Sequence, residues 1–501
     1  MQTLSRRAPR AGVALIFAYG AVTFAAAQEP ERSASTEPSE SAADPLDAIG
    51  GDVEVTAGIS SAELRGHVQA LSHDLLRGRP LGSEESMVAA AYCAARLEAA
   101  GLRPGAADGT WLQRIPCQRT VYDEVPELAL TLNGGDAETL AYGAGFTFRG
   151  RASDVDGLAC VYVEEENEVP ETARADVALV FLTSAGRARR WLKSAGHPGG
   201  AGFGLVVVPN TRAKVGAPAR PRPGSMLPAG GAATLPAQIA VRGEAASLFE
   251  DHAVESIALE THGRVERRDD ANVVGVLPGT RAGTPDESYL LLCAHRDHVG
   301  VKPLQEGQPA PEDAILNGAD DDASGCSVVL ELAEAIAAGE RPERSLVVVL
   351  VTGEERGMVG SRHFAEDPTV PLESIACALN FEMLGRPDDL VGGAGKLWLT
   401  GDDRSSLGPA LRGKGVEVSA DPRPEGNFFV RSDNVSFARV GVVSQTLSSY
   451  NMHADYHKVT DEWDTLDYAH MERASAACLD AVRSLLAGDW APTWNEGEPK
   501  L

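Results

Sequence analysis

From residue 272 onward, apolar positions alternate between short continuous runs and segments with helical spacing. Leu346-Val-Val-Val-Leu-Val351 is wholly apolar, mostly β-branched, and closed by Thr352-Gly353. This predicts a strand buried on both faces. Asn272–Leu277, Tyr289–Ala294, Ile375–Phe381 and Val440–Ser444 read as further strands. Ser324–Ala338, Gly357–Ala365 and Tyr468–Ala487 read as helices. The alternation predicts an α/β fold with a mostly parallel central sheet flanked by helices. In such sheets the site lies beyond the carboxyl ends of the strands.

Upstream the texture differs. Ser60-Ser-Ala-Glu63 offers a helix cap, and Leu64, Val68, Leu71 and Leu75 follow at amphipathic spacing. Met87–Ala100 predicts a second helix, stopped by Gly101. Between about 125 and 262, short apolar runs (128–132, 158–163, 177–182, 204–208) alternate with Gly/Pro-rich turns, interrupted by one helical stretch, Ser184–Ala195. This predicts an inserted β-rich domain, with Pro218–Gly230 as a mobile loop.

The N-terminus is neither. Arg6, Arg7 and Arg10 precede an apolar run from Ala11 to Ala27 that ends in small residues. That is the make-up of a secretory signal peptide over residues 1–27, implying a secreted or periplasmic protein with no membrane insertion after cleavage. Residues 28–57, rich in Glu, Ser, Ala and Pro, predict a disordered acidic linker.

The formal charge of −27 over 501 residues changes the picture of partners. Removing the leader takes away three arginines and no acid, giving −30. Such a field repels phosphate backbones and anionic lipid, so no nucleic-acid partner is expected. Seven cysteines stand apart with no Cys-x-x-Cys pair. Cys293, Cys326 and Cys377 read as small core residues, whereas Cys117 and Cys160 could pair in an oxidising compartment.

Candidate chemistry gathers at the predicted strand ends. His295-Arg-Asp-His298 follows one strand, and Asn317-Gly-Ala-Asp-Asp-Asp-Ala-Ser-Gly325 opens a helix. Glu354-Glu355 ends the 346–351 strand, Glu382 ends the next, and Tyr456-His457 with Asp461 precedes the last helix. Neighbours on a strand point apart, so of two adjacent glutamates one can ligate a metal while the other handles a proton. Imidazoles and carboxylates without thiolate suit a catalytic Zn²⁺, Mn²⁺ or Co²⁺ site.

These five blocks, in this order, closely resemble the co-catalytic di-zinc aminopeptidases of metallopeptidase family twenty-eight, over residues about 60–120 and 265–490. The resemblance implies a zinc peptidase catalytic domain over 58–124 and 263–490, a protease-associated-like insertion over 125–262, and a tail from 491 to 501. It implies two Zn²⁺, with His295 and Glu382 on one, Glu355 and His457 on the other, and Asp320 bridging, followed by a strained bond at Asp320–Asp321. Glu354 would be the general base and Asp297 the partner that fixes His295. Members of the family mostly carry Asp where Glu382 stands.

The implied activity is a secreted aminopeptidase hydrolysing N-terminal residues of peptides. Alternatives within the resemblance are a carboxypeptidase type, for which Arg423 or Arg431 could hold a terminal carboxylate; a glutaminyl-cyclase type; and a non-catalytic, receptor-like relative. Glutaminyl cyclases lack the His-x-Asp block that is present here.

Overall fold

The computed structural model describes residues 58–149, 154–197, 200–212, 214–218, 221, 226–229, 238–303 and 311–499. The leader, the acidic linker and most of the 218–230 loop lie outside them.

Two sheets organise the chain. The larger has ten strands. Its centre is four parallel strands, Ser345–Val351, Tyr289–His295, Ile375–Glu382 and Ser444–Ser448. Every residue of Ser345–Val351 is buried, as an unbroken apolar run requires of a strand covered on both faces. The flanks add antiparallel pairings. Gly263–Leu277 pairs antiparallel with both Ser345–Val351 and Leu112–Tyr122, and Leu397–Leu399 pairs antiparallel with Ser444–Ser448. The α/β expectation of a parallel central sheet flanked by helices holds: antiparallel strands are added on either side of the parallel core, and one edge ends in a further parallel pair, Leu397–Leu399 with Val418–Ala420.

Helices Ser61–Leu71, Glu84–Ala99, Gly325–Ala337 and Tyr468–Leu486 share one apolar core with one face of this sheet. Val359–Glu366 and Asn434–Arg439 bury Phe364 and Phe437 in a second core with the other. Ser60 caps the first helix through its hydroxyl, as the sequence predicts.

The second sheet has eight strands, all drawn from residues 127–260. It carries its own core around Phe146, Phe249 and Leu259 with helix Glu244–Glu250, and another around Phe181 and Phe203 with helix Ala185–Ser194. The chain leaves the large sheet after Tyr122 and rejoins it at Gly263, and those two residues face each other in one ladder. A short strand, Leu227–Pro228, returns to pair with Cys117 and Gln118, and Met226 packs against Leu81, Ile115, Cys117 and Val359.

Three sequence expectations shift. Gly263–Leu277 begins well before Asn272, because its first half is polar and exposed on the long ribbon. The last central strand is Ser444–Ser448; residues 440–443 form the preceding turn. Cys117 and Cys160 are both unpaired, Cys117 being packed beneath Met226.

Candidate metal centre

Each central strand delivers chemistry at its carboxyl end. His295 is the last residue of Tyr289–His295, and Glu382 the last of Ile375–Glu382. Glu354 and Glu355 stand on a single helical turn after Ser345–Val351. The three aspartates occupy an irregular turn, Ala319–Ser324, in which Asp321 (φ −107°, ψ 91°) and Asp322 (φ −130°, ψ 43°) leave helical geometry. His457 holds a left-handed backbone (φ 55°) in the loop after Ser444–Ser448.

The side chains converge. Asp321 Oδ1 lies 3.2 Å from His295 Nε2, and its Oδ2 lies 3.1 Å from His457 Nε2. Glu355 Oε1 is 3.0 Å from His457 Nε2 and 2.8 Å from His298 Nδ1. Donor atoms of His298, Asp321, Glu355 and His457 all lie within 4.8 Å of one another. His295 Nδ1 sits 3.1 Å from the backbone carbonyl of Asp297. A carbonyl only accepts, so the ring proton sits on Nδ1 and Nε2 faces Asp321 with its lone pair.

These atoms fit a metal and are poorly explained without one. His295 Nε2, both nitrogens of His298, His457 Nε2 and Glu355 Oε1 are buried with no well-oriented hydrogen-bond partner. Buried polar atoms are seldom left so, and several in one place call for a shared partner. Donors bound to one ion at about 2.1 Å stand roughly 3.0–3.4 Å apart, close to the 3.0–3.2 Å between His457, Asp321, Glu355 and His295. Asp321 is buried, which opposes its charge, but the imidazoles of His295, His457 and His298 around it outweigh this and hold its carboxyl well below the usual range.

Two sequence expectations are corrected. Asp320 was the expected bridge, but its carboxylate faces away. It accepts from Gly385 N–H (2.7 Å) and Arg386 Nη1 (3.2 Å) and lies 3.1 Å from His453 Nε2. Asp321 takes the central position, and the non-proline cis peptide is Asp321–Asp322. Three consecutive aspartates on an irregular turn cannot be told apart by spacing. Asp297 was expected to fix His295 with its carboxylate; the backbone carbonyl does so, while Asp297 Oδ1 is 3.8 Å away and accepts the N–H of Glu354 at 3.0 Å.

His298 was not assigned a role, although its place in His295-Arg-Asp-His298 is a visible signal. Glu382 does not join the tight group; it lines an open pocket together with Asp321 and Glu354. Burial pushes its carboxyl up to about 7, partly offset by His295. Trp398, Phe428, Tyr450 and Tyr456 supply the pocket's aromatic walls. Glu354 carries no imidazole contact. Burial, together with Glu382, Asp433 and Glu355, drives its carboxyl well above the ordinary range despite His295.

Beneath the centre lies a rigid support. Arg296 is fully buried, and its guanidinium donates to Asp270, Ala271 O and Ser86. Asp461 accepts the backbone N–H groups of Asp320 and Asp321. Asp388 grips Arg423 with both oxygens, at 2.6 and 3.0 Å.

Residues 272–482 match the model of Peptidase family M28. A probable zinc metalloprotease of Pyrenophora teres f. teres is 31% identical over 114 residues, 23% of each chain. Mouse aminopeptidase NAALADL1 is 29% identical over 116 residues, 22% of this chain and 13% of the mouse protein. The matched stretch thus spans about a quarter or less of these relatives. An aminopeptidase from Aneurinibacillus sp. strain AM-1 shares the fold, with a TM-score of 0.52 and 19% identity, covering 90% of this chain and 98% of that one.

Proposed function

Residues 272–482 belong to peptidase family M28, and from that premise we propose that the chain is an exported zinc-dependent exopeptidase, an aminopeptidase removing N-terminal residues from peptides. The observation that carries this is the set of unpartnered, buried imidazole nitrogens facing Asp321 and Glu355, with Glu354 beside them in an aromatic-walled pocket. His295, Asp321, Glu355 and His457 would hold two ions, with Glu382 completing one site and His298 adjoining the other. When bound, the ion pair supplies an acidified water and a Lewis acid for the scissile carbonyl.

The chain's own residues supply the rest. Glu354 stands off the imidazoles, and its raised proton affinity suits it to take a proton from water and return it to the leaving amine. Asp297, accepting the N–H of Glu354, holds that residue on its turn. The surplus of carboxylates in the pocket favours a substrate ammonium group, and the aromatic walls favour a large apolar side chain.

One observation favours a second reading. Arg423 is taken by Asp388, but Arg431 lines the pocket over Phe428 and could meet a peptide carboxylate, as a carboxypeptidase needs. Export rests on the N-terminal pattern of residues 1–27 alone.

The test is a metal count on the purified chain, followed by free and N-blocked peptides. Two zinc ions and cleavage only of free N-termini are expected; cleavage of blocked peptides from the C-terminus would move the assignment to the second reading. Glu354→Gln is expected to keep its zinc and its melting temperature while losing about 10²–10⁴ in kcat. Near-wild-type turnover would remove the base assignment.

A further inference from the structure

The aromatic walls of the pocket beside Glu354 lead away from the metal centre in steps. Tyr456 stacks on His457 with centroids 4.0 Å apart, and Tyr450 lies 5.7 Å from Tyr456. Phe428 follows at 6.0 Å from Tyr450, and Trp398 at 5.6 Å from Phe428. The sheet gives the same separation. Trp398 pairs with Ser448 and Ser448 with Glu382, so the backbone of Trp398 is two strands, roughly 10 Å, from that of Glu382.

At the Trp398 end the polar atoms are donors that lack acceptors. Trp398 is 1% exposed, and its indole N–H, which can only donate, has no partner among the described residues. A buried indole N–H usually finds one. Thr400 lies two residues on and so on the same face. It accepts the N–H of Thr446 at 2.9 Å, and among the described residues its own hydroxyl proton goes to no acceptor. Arg431 adds a positive charge. Its guanidinium lies 4.9 Å over the Phe428 ring and forms no ion pair or side-chain hydrogen bond among the described residues, whereas Arg423 is held by Asp388. All three side chains line the pocket. Its acids, Asp321, Glu354 and Glu382, stand instead around His295, where bound ions would offset them.

We propose that Trp398, Thr400 and Arg431 form a socket for the side chain of the residue being removed, and fit it to an acidic N-terminal residue, glutamate or aspartate. Phe428 and Tyr450 suit the methylene stem, and the guanidinium and indole N–H suit the carboxylate at its tip. This specificity rests on the aminopeptidase reading above and narrows it, because apolar walls alone leave the tip of the side chain unspecified.

The zinc-loaded chain is tested on glutamyl-, glutaminyl- and methionyl-para-nitroanilide, near-isosteres without a C-terminal carboxylate. kcat/KM is expected to favour glutamyl over methionyl by about tenfold or more, the scale of a hydrogen bond to a charged group, with glutaminyl between. Arg431→Met should lower the glutamyl-to-methionyl ratio about tenfold. Trp398→Phe keeps a ring and removes the N–H, and should lower it about threefold. Methionyl cleaved as well as glutamyl, or a ratio unmoved in either variant, would overturn the proposal. If no anilide is cleaved, the aminopeptidase reading fails separately, and calorimetry with L-glutamate and L-methionine decides the socket. Tighter binding of glutamate, weakened in Arg431→Met while methionine binding is not, is expected; equal binding of the two refutes it.

Discussion

At the scale of single residues, position within a motif matters more than residue type. Asp320 and Asp321 are chemically identical neighbours, both buried, yet one neutralises Arg386 and the other faces His295 and His457. Asp321→Asn is therefore expected to lose bound metal, measured as ions per chain. Asp320→Asn should keep the ions and lose about 1.5–3 kcal/mol of stability in urea unfolding, the worth of hydrogen bonds to charged groups. The residue types were legible: His295, Glu354, Glu355, Glu382 and His457 all stand where strand ends put them. The choice among three aspartates was not, because backbone dihedrals inside Ala319–Ser324 set it. Nor was the carbonyl of Asp297 legible as the partner of His295, since a sequence displays side chains and every residue has a carbonyl.

At the scale of elements, tight turns and one buried ion pair hold the strand ends in place. Gly318 has φ 59°, and a Cβ there would stand 2.2 Å from Asp321 O and 2.5 Å from His298 Cγ. Gly357 has φ 90° and open space around it. Gly318→Ala should lower metal affinity strongly, read by calorimetric titration. Gly357→Ala should cost about 1 kcal/mol of stability with metal binding intact, since only the backbone conformation is penalised.

Asp270 links Gly263–Leu277 to Arg296 behind the centre. Burial works against its charge, but Arg296 and the N–H groups of Gly82 and Ala271 hold its carboxyl below the usual range. On acidification the unfolded chain takes up this proton first, near pH 4. The pair's stabilisation is full above that pH and is lost as pH falls through the lower folded value. Asp270→Asn should thus cost about 3–5 kcal/mol near neutrality, with the gap to wild type narrowing below about pH 4 in urea melts. Continuous apolar runs made the central strands readable. The first half of Gly263–Leu277 escaped because it is polar and largely exposed, and Leu112–Tyr122 because its buried positions alternate with exposed ones and include Gln113 and Thr120, so neither shows a continuous apolar run.

At the scale of the molecule, the eight-stranded sheet hangs from the large one by the paired strands Leu112–Tyr122 and Gly263–Leu277. It also reaches back. Met226 fills a pocket over Leu81, and a Cβ on Gly353, next to Glu354, would lie 3.1 Å from a Leu81 methyl. Met226→Ala should cost about 2–5 kcal/mol in denaturant unfolding. That coupling could not be foreseen, because the returning strand is two residues long and contains a proline.

The rung joining Tyr122 to Gly263 is a natural seam. Whatever polypeptide is strung between those two points must only begin and end one strand apart, so modules of quite different size could be exchanged there without re-registering the sheet. A successful graft would still have to bring a thumb of its own to press where Met226 now does, or the floor under the neighbouring turn would be left hollow.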